Sequence, residues 1–548
     1  MRLIEFVKRE TDQPWTSVIA TTVISGVANG CVLGLINAGA SAASKESLSL
    51  RLLLLYILAI AIFMIAKKYA LERTVTRVER MVRRLRARLV DRIRNTELPI
   101  IETLGRGQLY TTVGQDANII SQSAFMVTNA AQEAIMLLFA FLYVAWLSPL
   151  ALLIVIAAVI LGILYYTFHR RTLSSDMRRL AAKDAEFVDV LSHIVDGFKE
   201  AKLNRKKNDA LFASFNDVAD ESERLKIHLA VRWVMEVMFS HVFFYLLVGV
   251  IVFLLPRVVP TFSNVVLEMT TAILFIIAPL EMIVNSMPMF MRANVALDGL
   301  YTLEAQLEKA PMNGHAPVAP IDGFEEIRLE GATYTYQSNE APGGSFTIGP
   351  LDLTIRRGEM LFIVGGNGSG KSTLLKVLTG LYPLTAGTIS ADDRLLDWRE
   401  ISAYRDHISA IFTDFHLFDR LYGLEDVDER RVRALLREME LDRKTAFVDG
   451  RFTNIGLSTG QRKRLALIVA LLENRDILVF DEWAADQDVH FRDYFYNSIL
   501  QRLKAEGKTL IVVTHDDRYW GVSDRLIKME TGRIVSDSAA IREGGPQP

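Results

Sequence analysis

Cysteine is nearly absent from this sequence: Cys31 is the only one among 548 residues, so no disulfide bond can form within the chain. This composition fits a reducing compartment and excludes a metal site built from several cysteines. An excess of either charge is also missing, because 62 Lys and Arg residues face 64 Asp and Glu residues, for a net charge of −2. The composition therefore gives no indication of a nucleic-acid partner.

Internal repeats and low-complexity tracts are absent as well, and apolar runs dominate the first three hundred residues. Hydrophobic residues form 50% of the whole sequence, which excludes a disordered chain. Six of these runs are close to the length of about 20 residues that a helix needs to cross a bilayer. They cover residues 15–38, 52–68, 130–147, 149–168, 234–256 and 265–288. We therefore predict six transmembrane helices, the third and fourth joined as a hairpin through Leu147-Ser148-Pro149.

The segments on one side of these spans are long and charged. Residues 67–94 contain eleven Lys or Arg residues against three acidic ones, and residues 169–232 include the run Arg205-Lys206-Lys207. By the positive-inside rule both segments are cytoplasmic, and an even number of spans places both termini there. Apolar residues every three or four positions predict that both are helical. The basic run 67–94 is either a solvated helix face or a surface for anionic lipid or substrate.

A stretch rich in proline and glycine divides the chain. Residues 303–322 contain Pro311, Gly314, Pro317 and Pro320 and are predicted to form a linker. Beyond it, predicted strands and helices alternate with glycine turns, which indicates a soluble α/β domain. We predict a transmembrane domain over residues 1–302 and an α/β domain over residues 323–548.

A glycine-rich sequence in the α/β domain matches the phosphate-binding loop. An apolar strand precedes it and an apolar helix follows, so backbone N–H groups can surround phosphates at a helix N-terminus. The predicted nucleotide contacts are Gly366, Asn367, Gly368, Ser369, Gly370, Lys371, Ser372 and Thr373. We expect Lys371 to reach the β- and γ-phosphates, Ser372 to bind Mg²⁺ and Thr373 to support the phosphates.

Two carboxylates follow a second apolar strand, Ile477-Leu478-Val479-Phe480. Because four consecutive apolar residues are typical of a fully buried strand, the carboxylates are predicted to stand at its end. Asp481 would hold Mg²⁺ through water, and Glu482 would polarise the water that attacks ATP. ATP and Mg²⁺ are therefore the expected cofactors.

The sequence Leu457-Ser458-Thr459-Gly460-Gln461 stands upstream of these carboxylates, before an apolar helix. With the two motifs above, in this order and spacing, residues 361–516 resemble the ATPase domain of ABC transporters. The resemblance implies an all-α six-helix transmembrane domain followed by an α/β P-loop ATPase domain, the type IV ABC exporter fold. It also implies that Ser458, Thr459, Gly460 and Gln461 contact ATP held by a second domain. One ATPase domain in the chain then implies a half-transporter, which we predict to work as a homodimer. A degenerate partner subunit is the alternative, although Glu482 and His515 are both present here.

Three further residues acquire roles through this resemblance alone. His515, in Thr514-His515-Asp516, matches the switch histidine that contacts the γ-phosphate, and it would act in catalysis with Glu482 and Lys371. Tyr336 stands where the family stacks an aromatic ring on adenine. Asp486 stands in the segment through which the family couples its two ATP sites.

Several positions depart from the common family pattern. Thr413 stands where a Mg²⁺-binding glutamine is usual, so its hydroxyl or a water would serve instead. Thr459 replaces a glycine, Trp483 replaces a proline, and the helical stretch expected over residues 422–452 is short. Together, the sequences FTDFHLFD, LSTGQRKRLAL and FDEWAADQD resemble a bacterial subfamily that exports cyclic peptides and siderophores.

Charged residues inside the apolar segments are candidates for substrate contacts, because charge is costly at bilayer depth. Glu281 follows Pro279, where we expect a break in the sixth span beside a cavity. Glu268 and His241 are further candidates. We expect three other charged residues at helix boundaries, Glu133, Arg232 and Glu236. Four methionines either line the cavity or face neighbouring helices, Met282, Met287, Met289 and Met291.

The bends near residues 104–108 and 203–205 are expected to dock on the ATPase domains at the loop 411–420. The resulting prediction is an ATP-driven exporter of a cyclic peptide, peptide siderophore or related peptide. It would lie in the bacterial cytoplasmic (inner) membrane as a multi-pass protein, with the ATPase domain and both termini in the cytoplasm. The alternatives are a ferric-siderophore importer, a lipid or lipopeptide flippase, and a membrane ATPase that signals without transport.

Overall fold

A computed structural model of the chain describes residues 2–11, 14–44, 50–258, 266–308, 321, 323–336, 346–397 and 400–539. The chain forms two compact units, each continuous in space but not in sequence. One consists of Met1–Val90 and Gly107–Ala305, and the other of Asp91–Arg106 and Gln306–Pro548. Residues 91–106 thus group with the second unit. The predicted domain bounds, 1–302 and 323–548, stay a prediction.

The first unit is built from long helices. In chain order, the helices before the first strand are α1 (Arg2–Glu10), α2 (Thr16–Ser44), α3 (Leu50–Arg94), α4 (Leu98–Leu104), α5 (Arg106–Tyr110), α6 (Ala117–Leu147), α7 (Pro149–Asp196), α8 (Phe198–Leu203), α9 (Arg205–Gly249), α10 (Leu255–Val258) and α11 (Val266–Glu308). Of these, α4 belongs to the second unit. Thr111–Asp116 and Val250–Leu254 are π-helical turns. The predicted helices over 67–94 and most of 169–232 are therefore confirmed.

Five of the six predicted spans fall on helical stretches that, within the described residues, are long and apolar enough to cross a membrane. The fourth predicted span falls on α7, whose described apolar stretch is the shorter Pro149–Gly162. The hairpin before it is confirmed: Ser148 alone separates α6 from α7, and its Oγ accepts from the Ala151 N–H at 3.3 Å. A proline at the first helical position and a serine cap explain why the new helix begins there.

Helix α11 corrects two predictions. It continues as one helix through Pro279 and Pro288, so the expected break in the sixth span is wrong. It also extends to Glu308, so residues 303–308 of the predicted linker are helical. The linker residues Pro311, Gly314, Pro317 and Pro320 lie outside the described residues.

The described residues of the second unit form three sheets. Its strands are β1 (Glu326–Thr335), β2 (Thr347–Arg356), β3 (Met360–Gly365), β4 (Ala386–Ala391), β5 (Arg394–Leu395), β6 (Ile408–Ile411), β7 (Phe447–Val448), β8 (Arg451–Phe452), β9 (Ile477–Asp481), β10 (Thr509–Val513), β11 (Arg525–Glu530) and β12 (Arg533–Ala539). Its helices are α12 (Lys371–Leu378), α13 (Ile401–Arg405), α14 (Glu429–Glu438), α15 (Thr459–Glu473), α16 (Val489–Tyr494) and α17 (Leu500–Ala505).

The largest sheet positions the site. Its order is β12-β11-β3-β10-β9-β6, and β11, β3, β10, β9 and β6 run parallel. Strands β9 and β10 are buried at every residue, because helices cover both faces of a parallel sheet. The carboxyl ends of β3, β9 and β10 are therefore neighbours, and the phosphate-binding loop, the carboxylates of Asp481 and Glu482, and His515 meet at one edge.

The segment 422–452 is not the helical stretch we predicted. Helix α14 covers Glu429–Glu438 only, and the hairpin β7–β8 follows it. Asp449 and Gly450 at the hairpin turn have φ values of 50° and 74°. An Asp-Gly pair in this left-handed conformation is typical of a two-residue hairpin turn and incompatible with a helix.

Candidate nucleotide-binding and substrate sites

The carboxyl end of β3 opens into the predicted phosphate-binding loop. Gly370, with φ of 100°, directly precedes α12, and this left-handed conformation favours glycine. A Cβ at Gly365 would lie 2.3 Å from a backbone oxygen of β11. Residues 366–368 are exposed, whereas Ser369 is buried and its hydroxyl has no hydrogen-bond partner in the described part of the chain. The loop thus offers open backbone and an unused hydroxyl to an anion.

Lys371 folds back over this loop. Its Nζ donates to the carbonyl oxygens of Gly365 at 3.0 Å and Gly366 at 3.1 Å. Burial lowers the pKa of the Lys371 amine, and the carboxylates of Glu482 and Asp481 oppose that shift. The cation is therefore held beside the loop by neutral carbonyls, which phosphate oxygens can replace.

Asp481 ends β9 and is only 1% exposed. Neither of its carboxylate oxygens has a hydrogen-bond partner among the described residues. Burial raises the pKa of Asp481, whereas the nearby Ser372 hydroxyl and Thr413 backbone N–H act to lower it. A buried carboxylate without a partner is costly, so this position fits a cation.

Mg²⁺ suits these donors, because it prefers oxygen and is usually bound by one or two carboxylates together with phosphate and water. Asp481 and Ser372 would hold it, and it would neutralise charge on the transferring phosphoryl group. No group of three or more His, Cys, Asp or Glu side chains suited to a metal occurs among the residues that the structure describes. The Thr413 backbone N–H lies near the Asp481 carboxylate, and a contact of Mg²⁺ with the Thr413 hydroxyl or with a water stays a prediction.

Glu482 and His515 form the centre of the predicted catalytic group. The Glu482 Oε1 lies 2.9 Å from the His515 Nε2. Glu482 has φ of 51°, and its backbone N–H donates to the Val513 carbonyl oxygen at 3.1 Å. Thr514, next to His515, is buried, and its hydroxyl lies 2.8 Å from the Tyr496 hydroxyl. Both side chains thus stand on backbone that the sheet holds in place.

The predicted signature sequence begins α15. Ser458 caps this helix, because its Oγ accepts from the Gln461 N–H at 3.5 Å and the Gln461 side chain returns to the Ser458 N–H at 3.3 Å. A Cβ at Gly460 would lie 2.6 Å from the Asp486 carbonyl oxygen. Ser458 and Thr459 are exposed. The sequence therefore presents a capped helix N-terminus, which favours an anion.

Lys463 is a residue whose role sequence reasoning missed. It is 3% exposed, and its Nζ donates to the Glu482 carbonyl oxygen at 2.8 Å and pairs with the Asp486 carboxylate at 2.7 Å. A second hydrogen bond joins the same two segments, because the Trp483 Nε1–H donates to the Lys463 carbonyl oxygen at 2.9 Å. The indole stacks on Phe495 with ring centroids 4.3 Å apart. A tryptophan in place of proline therefore ties α15 to the segment that carries Glu482 and Asp486.

Tyr336 follows β1 and contacts the start of α12. Its hydroxyl lies 3.0 Å from the Thr373 Oγ1. Its ring stands edge-on to those of Tyr334 at 5.2 Å and Tyr382 at 5.8 Å, and the latter two stack at 4.5 Å. The residue predicted to contact adenine is thus part of a tyrosine cluster beside the phosphate-binding loop.

The first predicted bend, α4, docks beside the same helix. Glu102 accepts from the Lys376 Nζ at 3.0 Å and the Tyr382 hydroxyl at 2.7 Å, and Glu97 pairs with Arg405 at 3.0 Å. The prediction that this bend docks on the loop 411–420 is wrong, because the matching charges are on α12 and α13. Docking of α8 on that loop stays a prediction.

Substituting Tyr382 with phenylalanine is expected to loosen α4. The ring would keep its stack on Tyr334, while the hydrogen bond to the charged Glu102 would be lost, at a cost of about 1.5–3 kcal/mol. Hydrogen exchange of residues 98–104 in the full-length protein should accelerate about tenfold or more. Tyr494→Phe is the matched control, since it removes a tyrosine–glutamate bond to Glu438 elsewhere in the unit. Equal exchange in both variants would contradict this role.

Charged side chains in the first unit pair across helices. His241 Nε2 on α9 lies 2.6 Å from Glu281 Oε1 on α11, and Arg232 on α9 pairs with Asp176 on α7 at 2.8 Å. Arg232, together with Glu133 and Glu236, lies inside a helix and not at the boundary we expected, because the helices continue past the apolar segments. The Glu268 carbonyl oxygen accepts from Asn37 at 3.2 Å.

A cavity of about 330 Å³ lies among α6, α7, α9 and α11. Its wall is apolar and rich in aromatic rings, with Glu236 and Ser240 as polar members. Met287 lines it, but Glu281 and the other three predicted methionines do not. The first unit therefore contains an apolar cavity lined by Glu236 and not by Glu281. That a cavity here takes the substrate stays a prediction.

Comparison with known proteins gives one family. The ABC transporter family model matches residues 348–485. The ATP-binding protein SyrD of Pseudomonas syringae pv. syringae is 30% identical over 97% of this chain and 96% of its own length. An ATP-dependent lipid A-core flippase of Burkholderia orbicola is 29% identical over 50% of this chain and 47% of its own length. The solved structure of a bacterial Atm1-family ABC exporter with ATP bound superposes with a TM-score of 0.76, at 18% identity, over 97% of this chain and 95% of that one.

Proposed function

Because this chain belongs to the ABC transporter family, as a half-exporter with an ATPase that drives transport, we propose that two copies export a peptide natural product across the bacterial cytoplasmic membrane. The multi-pass first unit would form the route, and the ATPase unit and both termini would lie in the cytoplasm. The main support for a peptide-like substrate is the cavity lined by Glu236, because it combines an apolar surface with one carboxylate.

The exposed signature supports a homodimer. Residues 366–368 of the phosphate-binding loop and the pair Ser458–Thr459 are exposed in the single chain. Two copies facing each other would enclose ATP between the loop of one and the signature helix of the other. Closure would then depend on ATP, because ATP would bind the closed state better than the open one.

The residues at the strand ends would carry out hydrolysis within this enclosure. Lys371 would leave the loop carbonyls and neutralise the phosphate oxygens, and Ser369 would offer its unused hydroxyl. Glu482 would orient the attacking water, with His515 holding the carboxylate in place and contacting the γ-phosphate. The contact between α4 and α12 would carry the change at the ATP site toward the membrane helices.

The cavity supports an amphipathic organic substrate. Its volume is within the range of about 300–1,000 Å³ for small-molecule sites. Aromatic walls fit an acyl chain or an apolar peptide side chain, and Glu236 fits an amine. A lipid flippase is the second candidate, because lipid A-core flippases are among the relatives that match about half of this chain.

Transport in liposomes tests this proposal. Protein reconstituted with its ATPase units outside should accumulate a fluorescent cyclic lipopeptide in the lumen when ATP and Mg²⁺ are added, and Glu236→Gln should weaken that uptake several-fold. Glu223→Gln is the control, since it removes an exposed carboxylate elsewhere on α9. Flipping of labelled lipid A without peptide uptake would favour the second candidate, and a persistent monomer with normal ATP turnover would contradict the homodimer.

A further inference from the structure

A basic pocket of about 230 Å³ lies in the first unit where the chain passes from α1 to α2. Besides Thr11, Trp15 and Met81, it is lined by four arginines of α3, namely Arg77, Arg80, Arg83 and Arg84. Residues three, four and seven apart share one face of a helix, so the four guanidinium groups converge. The proposed transport cycle uses none of these residues.

Two of the arginines form the frame of this pocket. Arg77 donates to the Pro14 carbonyl oxygen at 3.0 Å and to the Ser17 Oγ at 3.1 Å, and it lies 5.6 Å from the centre of the Trp15 ring. Arg84 donates to the Glu10 carbonyl oxygen at 3.0 Å. The frame is therefore built by the chain itself, before any ligand is present.

The other two arginines, Arg80 and Arg83, are exposed and form no ion pair with any residue that the structure describes. The Glu10 carboxylate, the acid of α1 closest to them in sequence, is taken by Arg88 at 2.5 and 3.1 Å. Asp12 and Gln13 lie outside the described residues. Two guanidinium groups with their full donor capacity thus face the pocket, and a guanidinium fork matches phosphate geometry.

The residues around the pocket are typical of a membrane surface. Trp15 directly precedes Thr16, where the first apolar helix begins, and tryptophan is enriched at the level of lipid headgroups. Side chains on a helix lean toward its N-terminus, so the arginines of α3 point toward the apolar part of that helix. In the membrane orientation of the proposed function, they would point toward the headgroups of the adjacent leaflet.

We propose that this pocket binds the phosphate-bearing headgroup of an anionic phospholipid, with Arg80 and Arg83 contacting the phosphate. The site rests on the membrane orientation in the proposed function, which places it in the cytoplasmic leaflet. Such juxtamembrane arginines attract anionic lipid. The proposal takes one of the two open interpretations of the run 67–94, a surface for anionic lipid, at these positions.

A bound lipid would also strengthen one contact between helices. Arg88 pairs with Glu10 at 2.5 Å and with Glu304 at 2.7 Å, and Arg9 pairs with Glu304 at 3.0 Å. Glu10 and Glu304 are almost fully buried. The pocket is thus adjacent to an ion-pair network that joins α1, α3 and α11, and a headgroup that holds α1 against α3 would stabilise all three.

Native mass spectrometry of the full-length protein, without nucleotide or substrate, tests the site independently of transport. We expect phosphatidylglycerol to bind at least tenfold more tightly than phosphatidylcholine with the same acyl chains. The Arg80→Ala/Arg83→Ala double variant should weaken phosphatidylglycerol binding about tenfold or more. Arg80→Lys/Arg83→Lys, which keeps both charges, should retain most of it.

The control is Lys206→Ala/Lys207→Ala, which removes the same charge from an exposed stretch of α9 and should leave lipid binding unchanged. Equal binding of the two lipids, or equal loss in the control and the Arg80→Ala/Arg83→Ala variant, would overturn the proposal. Displacement of phosphatidylglycerol by millimolar inorganic phosphate would assign the pocket to a soluble anion instead.

Discussion

Glu482→Gln should lower steady-state ATP hydrolysis at least about a hundredfold, the usual effect of losing a general base, without weakening ATP binding. Glutamine keeps an oxygen at the position where Glu482 Oε1 lies 2.9 Å from His515. The side chain loses only its charge, so its geometry should be preserved while its ability to orient and polarise water is lost. ATP should then be bound but not consumed.

Retention of ATP distinguishes this result from simple inactivation. In the proposed homodimer, ATP enclosed by two copies leaves only after hydrolysis, so radiolabelled ATP should dissociate from Glu482→Gln much more slowly than from the unmodified protein. Glu506→Gln, an exposed carboxylate at the end of α17, should change neither rate. Native-rate hydrolysis by Glu482→Gln would refute the catalytic assignment.

His515→Ala should also reduce hydrolysis, and combining it with Glu482→Gln should add little. Residues that act through one contact show strongly non-additive effects. If the fold reduction in hydrolysis of the double variant equals the product of the two single-variant reductions, the two residues act separately, despite the 2.9 Å contact.

The ATP site was predictable because each of its parts is encoded locally. A buried parallel strand is a run of apolar residues, and the residue after it must lie at the sheet edge, as Asp481 and His515 do. Glycines with left-handed φ, such as Gly368 and Gly370, mark the loop between strand and helix. Order along the chain then suffices to bring these groups together.

Contacts between distant segments were not predictable in this way. Lys463 lies in an apolar helix, and nothing in its spacing shows that its ammonium group meets the backbone of Glu482. The docking of Glu102 on Tyr382 joins residues 280 positions apart. One signal was available, because Trp483 departs from the family pattern, and a large ring in place of proline requires a new partner nearby.

The membrane half was harder to predict because apolar residues can face lipid, another helix or a cavity with the same composition. Pro279 looked like a break, yet α11 remains continuous through it. Neighbouring helices and local adjustment can satisfy the backbone groups that proline frees. Glu236 lines the cavity, whereas the more conspicuous Glu281 pairs with His241. Which carboxylate is paired depends on helix rotation, and sequence alone does not determine it.

Asp481→Asn is expected to abolish Mg²⁺-dependent hydrolysis while making the nucleotide-free protein more stable. Both oxygens of the buried Asp481 carboxylate are without hydrogen-bond partners among the described residues, and leaving such a group unpaired costs about 1–3 kcal/mol. Asparagine removes the charge, so thermal unfolding of the ATPase unit should shift upward by a few degrees, at about 2–4 °C per kcal/mol. Hydrolysis should fall about a hundredfold or more, because the residue that would hold Mg²⁺ is lost.

The pH dependence of unfolding tests whether the charge of the Asp481 carboxylate causes the stability difference between the unmodified protein and Asp481→Asn. Burial raises the pKa of Asp481 in the folded protein above its value in the unfolded chain, so the ionised group destabilises the fold at neutral pH and protonation removes that cost. The stability advantage of Asp481→Asn should therefore be largest near neutral pH and shrink as the pH falls through the raised pKa. Mg²⁺ with ATP should raise the melting temperature of the unmodified protein, by occupying the position that the carboxylate offers, but have little effect on the variant. Asp442→Asn, at an exposed aspartate, is the control and should show none of these changes. If Asp481→Asn is instead less stable without nucleotide and is still stabilised by Mg²⁺ with ATP, the Asp481 carboxylate is not the cation site.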